Sequence, residues 1–176
     1  YGTVGMRATG RDDVGRTHPF VSEQGTRTAS VQYADPTTVA ATCLLPLPDP
    51  PAAAETMTFG ADGLRSVRRL VGAYASQAGI SEERSREFQI AVNEVATNTI
   101  VHTDGLGTLR IWRDEDAVVC EITDEGRITD PLAGRHRVGP DQPSGRGLLL
   151  ASVMSDLLQT VVGDSGNIIR IYKDIT

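Results

Sequence analysis

A chain of 176 residues has room for one domain of ordinary size and some extra. Hydrophobic residues make up 39% and charged residues 23%, and no apolar run approaches the ~20 residues of a membrane helix, which excludes a membrane-spanning role. A net charge of −6 argues against a nucleic-acid surface as the main function.

Two cysteines, Cys43 and Cys120, lie far apart without a CxxC pattern, which suits a reducing, cytoplasmic compartment and no disulfide framework. No signal-peptide pattern is read in the sequence, so none is expected. The chain opens on Tyr1 and not on Met, so a fragment, a processed product or a trimmed chain is expected.

Residues 1–54 are rich in Gly, Thr, Asp, Arg and Ala, show little periodicity and end in LLPLPDPPAAA. They read as mostly irregular over 1–45, with Thr17–Val21 and Tyr33–Ala41 as candidates for local structure. Pro46, Pro48, Pro50 and Pro51 suit an extended, semi-rigid linker over 46–54, because none can continue a helix or a central strand.

From Glu55 the patterns sharpen. Thr56–Phe59 reads as a first strand, and Asp62 as the cap of a helix reaching about Gln77. Its apolar stripe is Leu64, Val67, Leu70, Val71 and Tyr74, and Gly79 closes it. A second helix starts behind Ser81 as N-cap and runs to about His102. Strands follow at Thr108–Arg113 and Ala117–Thr123, joined by Asp114-Glu115-Asp116. Leu109, Ile111, Val118, Cys120 and Ile122 mark their buried faces, with Cys120 a buried, inert thiol. Residues 124–147 break all periodicity, and a loop of that length in a compact domain is functional or disordered. Leu148–Leu158 reads as a third helix. Gln159–Val162 and Ile168–Tyr172 form a hairpin around Gly163-Asp164-Ser165-Gly166. The order predicts a two-layer α/β sandwich over 55–176, a mixed and largely antiparallel sheet with helices on one face.

Four blocks carry candidate chemistry. In FQIAVNEVATNTIVHT, Glu94 and Asn98 are four residues apart and project from one helix face, with His102 a turn further on. Taken alone, such a pair usually faces water. The sharper reading is an amide oxygen for Mg²⁺ beside a carboxylate placed to accept a proton. Asp124-Glu125-Gly126 ends a strand, where a carboxylate can accept from a base's amine and glycine lets a ring approach; it is also ordinary turn chemistry. Gly145-Arg146-Gly147-Leu148 opens a helix, where exposed N–H groups favour an anion. Arg135, Arg137 and Arg146 suit phosphate, or a solvated charged loop equally well. His18, His102 and His136 lack metal-ligand spacing, and there is neither a Gly-x-Ser-x-Gly elbow nor a Walker loop.

Taken together, Glu-x-x-x-Asn on a helix, Asp-x-Gly after a strand and Gly-x-Gly-Leu opening the next helix resemble the GHKL (Bergerat) ATP-binding fold. The nearest likeness is its smallest branch, the anti-sigma-factor serine kinases. AVNEVATNTIVHT looks like the family's N box, ITDEGRITDP like its first glycine box, SGRGLLLASVMSD like its second and GNIIRI like its closing strand. RTHPFVSEQG and VQYADPTTVAA are similar to the C-terminal end of MEDS sensory domains.

The resemblance implies ATP and Mg²⁺ as cofactors. By it Asn98 ligates the metal, Glu94 takes the proton from an attacking serine, Asp124 reads the adenine amine and Gly126 lines the base. Gly145, Arg146, Gly147 and Leu148 form the phosphate-facing lid, and Arg68 falls where the family engages protein partners. The implied function is phosphorylation of a STAS-type anti-sigma-factor antagonist together with sequestration of a sigma factor; a homodimer is compatible with it. Two alternatives stand beside it, an inactive ATP-sensing binding module and a histidine-kinase catalytic domain. The second is disfavoured because His18 precedes Pro19 and no helical hairpin carries it. The chain departs from the family twice. Gly126-Arg127-Ile128 lacks the second glycine of Asp-x-Gly-x-Gly, and Gly166-Asn167-Ile168 replaces Gly-Thr-Thr. Ile168 has no group to assist Asp124, whereas Asn167 has one.

Overall fold

The computed structural model describes residues 20–23, 26–29, 47–126, 128, 146–163 and 166–176. The chain forms two compact units, Tyr1–Leu44 and Leu45–Thr176. In the first, Phe20–Glu23 (β1) and Thr26–Ala29 (β2) pair antiparallel, Phe20 opposite Ala29 and Glu23 opposite Thr26. The Tyr33–Ala41 candidate lies outside the described residues.

The second unit runs Glu55–Phe59 (β3), a 3-10 turn at Ala61–Gly63, Leu64–Ala78 (α1), Glu82–His102 (α2), Gly107–Arg113 (β4) and Ala117–Asp124 (β5). Arg146–Met154 (α3), Leu157–Gly163 (β6) and Gly166–Asp174 (β7) complete it. The sheet order is β3-β4-β5-β7-β6, and every pairing in it is antiparallel. The α/β sandwich expected from the sequence is the fold that forms.

Alternation along the strands explains the two layers. Leu109, Ile111, Val118, Cys120, Ile122, Ile169 and Ile171 point to the helix side. There they meet Val67, Val71 and Ala75 of α1 and Phe88, Val92 and Val95 of α2 in one core cluster. Each such side chain stabilises the fold by about 1.5–3 kcal/mol when fully buried. The stripe expected on α1 is the one that packs. Val67 and Val71 are fully buried, and Leu64, Leu70 and Tyr74 lean on the core edge.

Two local expectations give way to tertiary structure. Asp62 does not cap α1: it sits inside the 3-10 turn, where Gly63 N–H donates to the Gly60 carbonyl at 2.8 Å, and no side-chain cap forms. The third helix ends at Met154 and not at Leu158. Ser155 turns its hydroxyl back to the Ala151 carbonyl at 2.8 Å. Asp156 is then taken by the sheet, its N–H donating to the Tyr172 carbonyl at 3.0 Å and its carboxylate accepting from Asp174 N–H at 2.8 Å. Leu157 and Leu158, apolar enough to prolong a helix, are therefore the first residues of β6.

On the sheet's other face Trp112, Ala117 and Val119 form a second apolar cluster with Ala54 and Tyr172 at its margin. Beside it Arg170 donates twice to Glu121, at 3.0 and 2.5 Å, and its guanidinium lies 5.2 Å from the Trp112 ring centroid. Its remaining reach is to the Pro48 carbonyl at 2.7 Å. The proline-rich stretch is fastened to the sheet at Pro48, and its end folds into a turn in which Ala54 N–H donates to the Pro51 carbonyl at 2.9 Å. Among the described residues no helix is long and apolar enough to cross a membrane.

Candidate functional site

Helix α2 organises the site. Ser81 caps it, its hydroxyl accepting from Arg84 N–H at 3.4 Å, and Glu82 and Glu83 in the first turn complement the helix dipole. Phe88, Ala91, Val92, Val95, Ala96 and Thr99 are the face buried on the sheet. Glu94 and Asn98 fall outside that stripe, half-buried and one turn apart.

What they face is the start of α3. Gly147 lies so close that a Cβ there would sit 3.0 Å from Asn98 Nδ2, 3.1 Å from its Oδ1 and 3.1 Å from Glu94 Oε2. A side chain there would have to push these neighbours back by a few tenths of an ångström. The far end of α3 is tied down as well, since the buried Lys173 ammonium donates to the Met154 carbonyl at 3.1 Å and to Glu87 at 2.7 Å. The two helices therefore run antiparallel, and the N-terminal turn of α3 is delivered to Glu94 and Asn98. Arg146 is exposed in that turn, and Leu148 packs against the main core.

Thr99, next to Asn98, connects this corner to Asp124. Its hydroxyl is fully buried and donates to Asp124 Oδ2 at 2.7 Å. Asp124 Oδ1 accepts from Gly126 N–H at 2.9 Å and from the Asn167 side-chain amide at 2.8 Å. Asn167 stands opposite Asp124 in the β5–β7 ladder, and its own Oδ1 accepts from Ile128 N–H at 3.1 Å. Ile168 is paired instead with Thr123. Gly126 has a reason for being glycine that the sequence did not offer: a Cβ would come 2.7 Å from Thr103 Cγ2 and 3.2 Å from Asn167 Nδ2.

The structure thus brings Glu94, Asn98 and Gly147 together on the C-terminal half of α2, with Asp124 and Gly126 beside them through Thr99. Gly145, Arg135 and Arg137 lie outside the described residues. Arg68 is exposed on α1 and donates to Asn93 Oδ1 at 2.6 Å. Thr99 escaped the sequence reading because a threonine on an otherwise apolar helix face carries no distinguishing pattern. A cleft of about 420 Å³ borders Asp124 from the side of the α2 C-terminus, lined by Thr58, Thr103, Asp104, Leu106, Thr108, Thr123 and Glu125 among others.

Among the described residues no group of three or more His, Cys, Asp or Glu side chains converges. The donor set still suits a magnesium nucleotide. Asn98 offers a hard amide oxygen and Glu94 a carboxylate one turn away, and the first turn of α3 brings the Gly147 backbone close against both.

No curated protein sequence matches the chain. Among solved structures it is similar to the catalytic domain of the histidine kinase ThkA, at 16% identity and a TM-score of 0.44, covering 69% of this chain and 97% of that one. It is also similar to the Acinetobacter baumannii histidine kinase AdeS, at 15% identity and a TM-score of 0.40, covering 80% of this chain and 74% of that one. The family model described as the histidine kinase-like ATPase domain matches residues 58–173. That span takes in α2, Asp124, α3 and all but the first residues of β3, and the chain belongs to this family of nucleotide-binding ATPase domains.

Proposed function

We propose that the chain is an ATP-dependent protein-serine kinase that phosphorylates a STAS-type anti-sigma-factor antagonist and, when that antagonist is absent, holds a sigma factor. The observation that carries this reading is the shared anchoring of α2. Glu94 and Asn98 meet the glycine-opened turn of α3, while Thr99 of the same helix holds Asp124. In this reading one rigid element sets the distance between the phosphate end and the base end.

In this reading Asn98 supplies an amide oxygen to Mg²⁺, and Asp124 accepts from the adenine amine. The metal offsets negative charge on the phosphates when bound. Glu94 accepts the proton from the serine hydroxyl. The serine oxygen then bonds to the γ-phosphorus as the bond to the β-phosphate oxygen breaks, and ADP leaves with that electron pair. Arg68, at the surface of α1, is the proposed contact for protein partners, and residues 1–45 are the proposed end of a MEDS-type sensory domain.

The test is incubation with labelled ATP and a STAS-domain antagonist protein. Asn98→Ala should abolish metal-dependent nucleotide binding, because alanine offers no hard oxygen. Glu94→Ala should bind nucleotide and transfer phosphate ~10²–10⁴ more slowly. A wild-type protein that transfers no phosphate yet retains a sigma factor is a binding module and not a kinase.

A further inference from the structure

We infer that Lys173 and Glu87 are positioning residues for the phosphate end of the nucleotide: they hold the last turn of α3 and, through the length of that helix, keep Gly147 against Glu94 and Asn98. The inference rests on the nucleotide reading above and goes beyond it by naming what sets the position of α3.

Spacing along the two helices comes first. Glu87, Ala91, Glu94 and Asn98 recur at steps of four, three and four residues, so they lie on one stripe of α2. Gly147, Ala151 and Met154 recur at steps of four and three, and they lie on one stripe of α3. The Gly147 end of α3 meets Glu94 and Asn98, and its Met154 end is linked to Glu87 through Lys173. Gly147 to Met154 and Glu87 to Glu94 are the same number of residues apart, about 10 Å along each helix. Ala91 and Ala151, between the two ends, are fully buried.

What closes the far end is a charge. The last carbonyls of a helix have no partner within it, and the dipole favours a cation there. The Met154 carbonyl accepts from Lys173 Nζ at 3.1 Å, and the same ammonium donates to Glu87 at 2.7 Å. The Lys173 side chain is only 3% exposed, so these contacts are shielded from water and join α2, α3 and β7 at one atom. Arg84, one turn before Glu87, secures the chain directly after α3, donating to Asp156 at 2.8 Å and to the Asp174 carbonyl at 3.0 Å. A helix of nine residues moves as one body, so a shift at Met154 reaches Gly147. There the backbone lies so near Glu94 and Asn98 that a small displacement changes the space between them.

The experiment uses the whole chain and compares Mg·ADP with adenosine, which carries the base but no phosphate. Lys173→Met keeps the length of the side chain and removes the charge. In the absence of nucleotide, its backbone hydrogen exchange should quicken across α3 and stay unchanged across α1. Its Mg·ADP affinity, by calorimetry, should fall about tenfold, while adenosine affinity, by NMR titration, stays within about twofold of wild type. Glu87→Gln, at a partly exposed position, should weaken Mg·ADP in the same way by about threefold, and it decides alone if Lys173→Met does not fold. Val71→Ala opens a cavity in the core under α1; it should lower the melting temperature and leave both affinities unchanged. Four results would each overturn the inference while leaving nucleotide binding intact: equal losses for Mg·ADP and adenosine, unchanged Mg·ADP affinity, unchanged exchange across α3, or an equal Mg·ADP loss in Val71→Ala. A wild type that binds neither ligand overturns the nucleotide reading itself, and this inference with it.

Discussion

Glu121 and Arg170 face each other across the β5–β7 pairing, with only 2% and 3% of their surfaces exposed, and both guanidinium bonds to Glu121 go to one carboxylate oxygen. Burial works against the Arg170 cation, but the hydrogen bonds it donates to Glu121 and its interaction with Tyr172 outweigh it, so its pKa is raised. Removing one member of such a pair strands the other. Glu121→Ala should cost about 3–5 kcal/mol in urea denaturation, whereas Glu121→Met with Arg170→Met should lose far less. Equal losses in the two proteins would mean that the pair is not the source. Arg110, whose side chain is 42% exposed and 3.4 Å from Glu121, should contribute little when replaced by alanine.

A methyl group at position 147 would press on Asn98 and Glu94 by a few tenths of an ångström. Gly147→Ala gains about 1 kcal/mol in helix propensity, and this partly offsets the crowding. Thermal stability should therefore stay within about 1 kcal/mol of wild type while Mg·ADP affinity falls about tenfold or more. Calorimetry alongside a melting curve separates the two effects, and unchanged affinity would remove α3 from the site.

Asp124→Asn tests the base end by reversing a hydrogen-bond sense. The new amide nitrogen fits best at the Oδ2 position, where the Thr99 hydroxyl can turn to accept from it; at Oδ1 it would meet two donors. The atom offered to the base then donates. ADP binding should weaken by roughly 1.5–3 kcal/mol, and the preference for ADP over IDP should shrink or invert. A variant that keeps the wild-type ADP affinity would show that Asp124 does not read the base.

Cys120 gives a pH dependence whose sign is fixed. Complete burial, and then the neighbouring Glu121, push its thiol far above the ordinary value of 9.0. The folded chain thus keeps a proton that the unfolded chain releases. The resulting stability is fully present below about pH 9 and is lost as pH rises above it, by about 1.4 kcal/mol per pH unit for one proton. Tyr74, pushed up by burial and by Glu55, acts in the same direction at still higher pH. Denaturation midpoints followed from neutral to alkaline pH should slope less in Cys120→Ala than in wild type, once the offset from the lost side-chain volume is subtracted.

How much could be read in advance depended on the range of the interactions. Helices α1 and α2 and strands β4 and β5 carry their periodicity in consecutive residues, so Val67, Val71, Leu109 and Ile122 were placed correctly. The boundary of α3 was not legible, because LLLASVMSDLL holds no Gly or Pro to end a helix and what stops it is a strand partner: Asp156 is bonded to Tyr172 and Asp174. Glu94 and Asn98 announced themselves by spacing. Thr99 and the geometry of Asn167 did not, since the pairing of Asp124 with Asn167 exists only once β5 and β7 adopt their register. Gly126 was legible as a glycine but not for the reason that Thr103 gives it.

The bond from Arg170 to the Pro48 carbonyl has a practical consequence for anyone isolating the ATPase unit. Trimming the gene to the first strand, at Glu55, deletes an acceptor that the outer face of the sheet relies on and uncovers a cation beside Trp112. Such a shortened protein should melt lower and stick to itself more readily than one that starts upstream of Pro48, even though every helix and strand of the unit is present in both.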